Sequence, residues 1–119
     1  MLYHNILVWK KAHEFTIKIY LATKKYPKDE LFGIVSQMRR ASSSVPANIV
    51  EGNARRSSKE YAQFLVQARA SLSETQYFLE LSKDLSYISE IEYELLTSLS
   101  IEVSKMLNSL LTKIKSCNY

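Results

Sequence analysis

A chain of 119 residues with a formal net charge of +4 has the size of one compact domain and leaves little room for a second core. Apolar residues make up 46% and charged residues 24%, ordinary values for a soluble globular protein, and no uninterrupted apolar run approaches the ~20 residues of a membrane span. A single cysteine, Cys117, excludes an intramolecular disulfide and suits a reducing compartment, and no charged segment leading into an apolar core opens the chain, so a cytoplasmic protein is expected.

With 2 glycines and 2 prolines the chain has few places to turn, which favours long helices. Helix 1 is predicted from about Ile6 to Lys24, because Val8, Ala12, Phe15, Ile19 and Ala22 recur at spacings of four and three. Lys24 and Lys25 suit its carboxyl end, and Pro27 stops it. Helix 2 is predicted to begin near Lys28, with Asp29 and Glu30 in its positive first turn and Leu31, Ile34, Val35, Met38 and Ala41 inward. Ser42, Ser43 and Ser44 are poor helix formers. Pro46 has no amide hydrogen and crowds the carbonyl four residues back, so a kink or break is expected before the helix resumes through Ile49. Gly52 suits a left-handed cap at its end.

Helix 3 opens on a capping-box pattern, Ser57 with Glu60, and carries Tyr61, Phe64, Leu65, Ala68, Leu72, Thr75, Leu79 and Ser82 on one face before fading near Leu85. Helix 4 opens on a second box, Ser89 with Glu92. Its predicted seam runs through Ile91, Leu95, Leu99, Val103, Met106, Leu110 and Ile114, and Lys105, Lys113 and Lys115 suit its carboxyl end. Short links force consecutive helices antiparallel. The expected fold is therefore all-α, an up-down-up-down four-helix bundle over residues 1–119 with a proline kink in helix 2. Val66, Tyr77, Phe78, Ile17, Tyr20 and Leu21 spill beyond the core stripes, which points to self-association.

Chemistry is harder to find. A metal site in a bundle needs inward carboxylates with a Glu-x-x-His spacing, and that spacing is absent. The histidines are His4, near the amino terminus, and His13, read as a surface or interface residue. The triple serine has no neighbouring base and no strand-turn-helix elbow, and Arg39-Arg40-Ala41-Ser42 is too short a pattern to specify phosphorylation. No phosphate loop or dinucleotide fingerprint occurs. No catalytic residue, metal or cofactor is assigned, and the chain reads as no enzyme.

Two polar clusters remain. Arg40, Ser44, Asn48 and Glu51 follow one another at helical spacing on helix 2, and Ser71 and Glu74 form a similar pair on helix 3; together they read as a structural polar network between the helices. Arg55, Arg56 and Lys59 follow Gly52, where no core demands them. With Arg39 they are the candidate nucleic-acid-binding residues, against the plainer reading of a solvated turn. Residues 1–60 hold 11 Lys and Arg against 5 Asp and Glu, whereas residues 61–119 hold 5 against 7, so the basic character belongs to the first half.

Val8-Trp9-Lys10-Lys11-Ala12, Tyr26-Pro27, Phe32-Gly33 and Gln37-Met38-Arg39-Arg40-Ala41 lead into Val45-Pro46-Ala47-Asn48-Ile49-Val50-Glu51-Gly52, followed by Phe64, Ala68, Ser71, Leu72 and Glu74. In this order the residues resemble the four helix bundle protein family, also called the 23S rRNA intervening-sequence protein family. Val50 departs from the more usual alanine, and Asn53-Ala54 from a commoner aromatic or glycine, which leaves the end of helix 2 open. The resemblance implies a homo-oligomer, often a ring-like homopentamer, with no assigned enzymatic activity. It extends to accessory proteins of diversity-generating retroelements, which engage a reverse transcriptase and nucleic acid. Two functions follow as expectations: an oligomeric bundle binding structured RNA through a basic rim, or a scaffold docking a partner protein such as a polymerase.

Overall fold

Val8, Ala12, Phe15, Ile19 and Ala22 are all buried on one face of the first helix, α1 (Leu7–Thr23), as their spacing predicts. The computed structural model describes residues 6–116, so His4 and Cys117 lie outside the described residues. The remaining long helices are α2 (Ser36–Asn53), α3 (Ser58–Asp84) and α4 (Glu90–Lys115). Contacts join α1 to α2, α2 to α3, α3 to α4 and α4 back to α1, giving an antiparallel bundle of 47 × 24 × 22 Å. No helix among the described residues is long and apolar enough to cross a membrane.

Helix 2 departs from expectation at its start. A 3₁₀ turn, Lys28–Glu30, and a kinked segment, Leu31–Val35, precede the regular α2. Gly33 has φ −109° and ψ −115°, outside the helical region. The chain kinks at Gly33 instead of running on as helix, so the apolar positions before it do not continue the core stripe of α2. Leu31, predicted inward, is 47% exposed, and Phe32 is 93% exposed.

Pro46 itself lies within an unbroken α2. The carbonyl it cannot pair, that of Ser42, accepts a hydrogen bond from Thr16 Oγ1 of α1 at 2.9 Å. The donor comes from the neighbouring helix, where Thr16 is buried at the α1–α2 contact.

Gly52 also corrects its expected role. It is buried inside α2, and no glycine has a positive φ. A Cβ there would lie 2.7 Å from Tyr61 Cδ1 and 3.0 Å from Phe64 Cβ, so the residue is small because α3 approaches closely. The positive φ occurs at Ser86, 62°, in the α3–α4 turn.

Both capping serines accept from the backbone as predicted, Ser57 from Glu60 N and Ser89 from Glu92 N, each at 3.1 Å. At Ser89 the box is reciprocal; at Ser57 the hydroxyl donates to the Glu60 carboxylate. The seam of α4 is turned by about one position from that predicted. Leu96, Ser100, Val103, Leu107 and Leu111 are buried, whereas Ile91 and Leu95 are 71% and 67% exposed. Two apolar stripes run side by side along this helix. Periodicity sees both, and packing against α3 and α1 chooses between them.

Candidate nucleic-acid interface

Gln76 Nε2 reaches Ser100 Oγ at 3.0 Å, and Arg69 Nη1 reaches Asn108 Oδ1 at 3.2 Å. These bonds set the antiparallel register of α3 and α4, and continuing it brings the last turn of α4 beside the first turn of α3. Lys113 and Lys115 therefore share one end of the bundle with Arg55, Arg56 and Lys59. Among the described residues the carboxylates on the neighbouring turns are Glu51 and Glu60. Sequence reasoning had assigned the α4 lysines to the helix dipole alone. The Ser57 and Ser89 caps delimit both helices, and counting along them from the α3–α4 turn would have placed the lysines here.

Arg55 is held in place. Its backbone N–H donates to Gly52 O at 3.1 Å, its Nη2 lies 3.2 Å from Glu51 Oε2, and its guanidinium sits 4.7 Å over the Phe64 ring. Arg56 and Lys59 are exposed, with no ion-pair partner among the described residues. The end of the bundle thus offers one ordered guanidinium with exposed cations on the same end, an arrangement suited to phosphate oxygens.

Arg39 does not belong to this cluster. Along α2 it lies sixteen residues before Arg55, roughly 24 Å at 1.5 Å per residue, and so at the opposite end. It is half-buried, its Nε donates to Thr23 Oγ1 at 3.0 Å, and its guanidinium lies 4.9 Å over the Tyr20 ring.

The polar network divides. Ser71 Oγ donates to Ser44 Oγ at 3.0 Å, and Asn48 Nδ2 donates to the Ser44 hydroxyl at 2.9 Å and to its carbonyl at 2.8 Å. This triad links α2 to α3. Arg40 and Glu74 pair separately at 3.3 Å on the exposed edge, where Arg40 also meets Gln37 at 2.7 Å. Glu51 is exposed and engaged with Arg55, so it leaves the network for the rim.

His13 is exposed and stacked on Trp9, ring centroids 4.9 Å apart and planes within 8°. Among the described residues no group of three or more His, Cys, Asp or Glu could hold a metal ion. At the far end of the bundle Tyr87 donates to Glu30 at 2.6 Å, which pushes its pKa up to about 12, and the Lys25 ammonium beside Glu92 lowers that carboxylate; near the rim, burial raises the Tyr61 phenol.

The sequence profile of the 23S rRNA-intervening sequence proteins matches residues 4–109. A crystal structure from Bacteroides thetaiotaomicron, of a protein of unknown function in the S23 ribosomal protein family, is similar in fold and sequence. Its TM-score is 0.82 at 30% identity, covering 89% of this chain and 96% of that one. No curated protein matches.

Proposed function

The chain belongs to the 23S rRNA-intervening sequence protein family, and from that premise we propose that it is a non-enzymatic, cytoplasmic, oligomeric bundle that binds structured RNA through one basic end. The observation that carries this reading is the gathering of Arg55, Arg56 and Lys59 with Lys113 and Lys115, against Glu51 and Glu60. The exposed apolar residues Ile17, Leu21, Ile91 and Leu95 support self-association, with a pentamer as the expected assembly. Symmetry repeats the basic end around a ring, so phosphate contacts multiply without new residues.

The test is the affinity of a labelled RNA hairpin for the purified oligomer across a salt series. Each phosphate neutralised releases counterions, so log K falls linearly with log salt. Arg55→Ala/Arg56→Ala is expected to weaken binding and flatten that slope by about 1 for each contact removed. An unchanged slope removes these residues from the interface, and no binding at low salt overturns the reading. The exposed Ile91 and Leu95 favour a second function, a scaffold docking a partner protein such as a polymerase. A stoichiometric partner that survives nuclease treatment, with no RNA affinity, would select it.

A further inference from the structure

At the corner where α1 turns into α2, Lys24, Lys28 and Arg39 have no carboxylate partner among the described residues. The partners that orient Arg39 are neutral: Thr23 Oγ1 at 3.0 Å, the Tyr20 carbonyl at 3.4 Å and the face of the Tyr20 ring. Its plane is fixed and its charge is left uncompensated. Two hollows of about 430 Å³ each meet at this guanidinium and share Leu31 and Val35 as an apolar floor. One is edged by Lys24, Lys28 and Tyr26, the other by Tyr20, Phe32 and Arg40. Phe32, 93% exposed, is the most exposed large apolar residue among those described, and it lines the same hollow as Arg39 and Arg40.

We propose that this corner is a second binding site, which takes an unpaired nucleotide of single-stranded RNA: phosphate against Arg39, Lys24 and Lys28, base stacked on Phe32. An oriented guanidinium, two exposed ammoniums and an aromatic face suit single-strand recognition, because every base has a π face and every link a charge. The opposite end, with its basic rim, presents no comparably exposed ring among the described residues. A protein partner fits the corner less well, since lysine is depleted at protein interfaces and Lys24 and Lys28 edge this site without a carboxylate partner among the described residues. Asp29 also lies at the corner, exposed, and the strand must run past it. The inference rests on the nucleic-acid reading above but uses residues at the opposite end of the bundle.

The probe is a seven-nucleotide uridine-rich RNA with a central 2-aminopurine, whose fluorescence is quenched by stacking, titrated into the full-length protein beside the RNA hairpin. Phe32→Ala removes an exposed ring and leaves the core untouched. It is expected to abolish the quench and weaken oligonucleotide binding about tenfold, with the hairpin salt slope unchanged, while Phe32→Tyr keeps the quench. Arg55→Ala/Arg56→Ala is expected to do the reverse. Equal quench and affinity in Phe32→Ala overturns the proposal. So does hairpin binding without oligonucleotide binding, which leaves the basic rim standing. Binding of neither RNA overturns both readings. A Phe32→Ala protein that changes particle mass in light scattering while keeping oligonucleotide affinity assigns the ring to a protein interface and also overturns it.

Discussion

Thr16 Oγ1 donates to the Ser42 carbonyl at 2.9 Å, and that carbonyl is the one whose helical partner Pro46 removes. A proline deep in a bundle is tolerated here because a hydroxyl from α1 replaces the missing amide. Thr16→Val is expected to strand the buried carbonyl at a cost of about 1 to 3 kcal/mol. Pro46→Ala restores the helical donor, so the same Thr16 substitution should cost much less in that background. A double-mutant cycle by chemical denaturation measures the coupling, and additive effects would sever the link.

Asn48 and Glu51 share a helical face but should separate in a stability assay. Asn48→Ala breaks the bonds to Ser44 and is expected to lose about 1 kcal/mol. Glu51→Ala removes an exposed partner of Arg55 and should change stability by less than about 0.5 kcal/mol. Equal thermal shifts for the two would return Glu51 to the network.

Gly52→Ala places a methyl group against the Tyr61 ring and the Phe64 Cβ. Overpacking of this kind costs about 1 to 3 kcal/mol, more than the helix propensity gained from alanine. The melting temperature should fall, and further in Gly52→Val. A rise in Gly52→Ala would mean that α3 moves away freely.

The carboxylate of Glu92 is lowered chiefly by its hydrogen bond from Lys25, and the Ser89 cap lowers it further. A carboxyl whose pKa is depressed on folding stabilises the protein above its unfolded pKa, and that contribution is lost as pH falls through the folded value. Tyr87 is the opposite case. Its neutral form is held by Glu30, so its contribution is whole below about pH 10 and is lost as pH rises through about 12. Urea titrations of Glu92→Gln and Tyr87→Phe across pH should show flatter acid and alkaline limbs respectively, and limbs parallel to those of the unmodified protein would refute the assignments.

The stripe of α1, the caps at Ser57 and Ser89 and the antiparallel order were legible in the sequence because each depends on residues close in the chain. The α4 seam was not, since Leu95 and Leu96 offer two stripes and burial against other helices selects one. The start of α2 was also hidden: Asp29 and Glu30 look like a helical first turn, and nothing local announces the kink at Gly33. For the candidate site, Arg55, Arg56 and Lys59 were legible together, being neighbours in one link. Lys113 and Lys115 join them through a register set by bonds between α3 and α4, which composition cannot show. Arg39 was grouped with them by charge, although the length of α2 already separates the two positions.

The kink at Gly33 makes the outward position of Phe32 a matter of one residue's backbone. With φ −109° and ψ −115° there, the helical phase of α2 is not carried back to Leu31 and Phe32. Each residue of an ordinary helix turns about 100° around the axis, so a backbone that stayed helical at position 33 would set the residues before it at other bearings. The aromatic face of the corner is therefore aimed by a residue that has no side chain of its own.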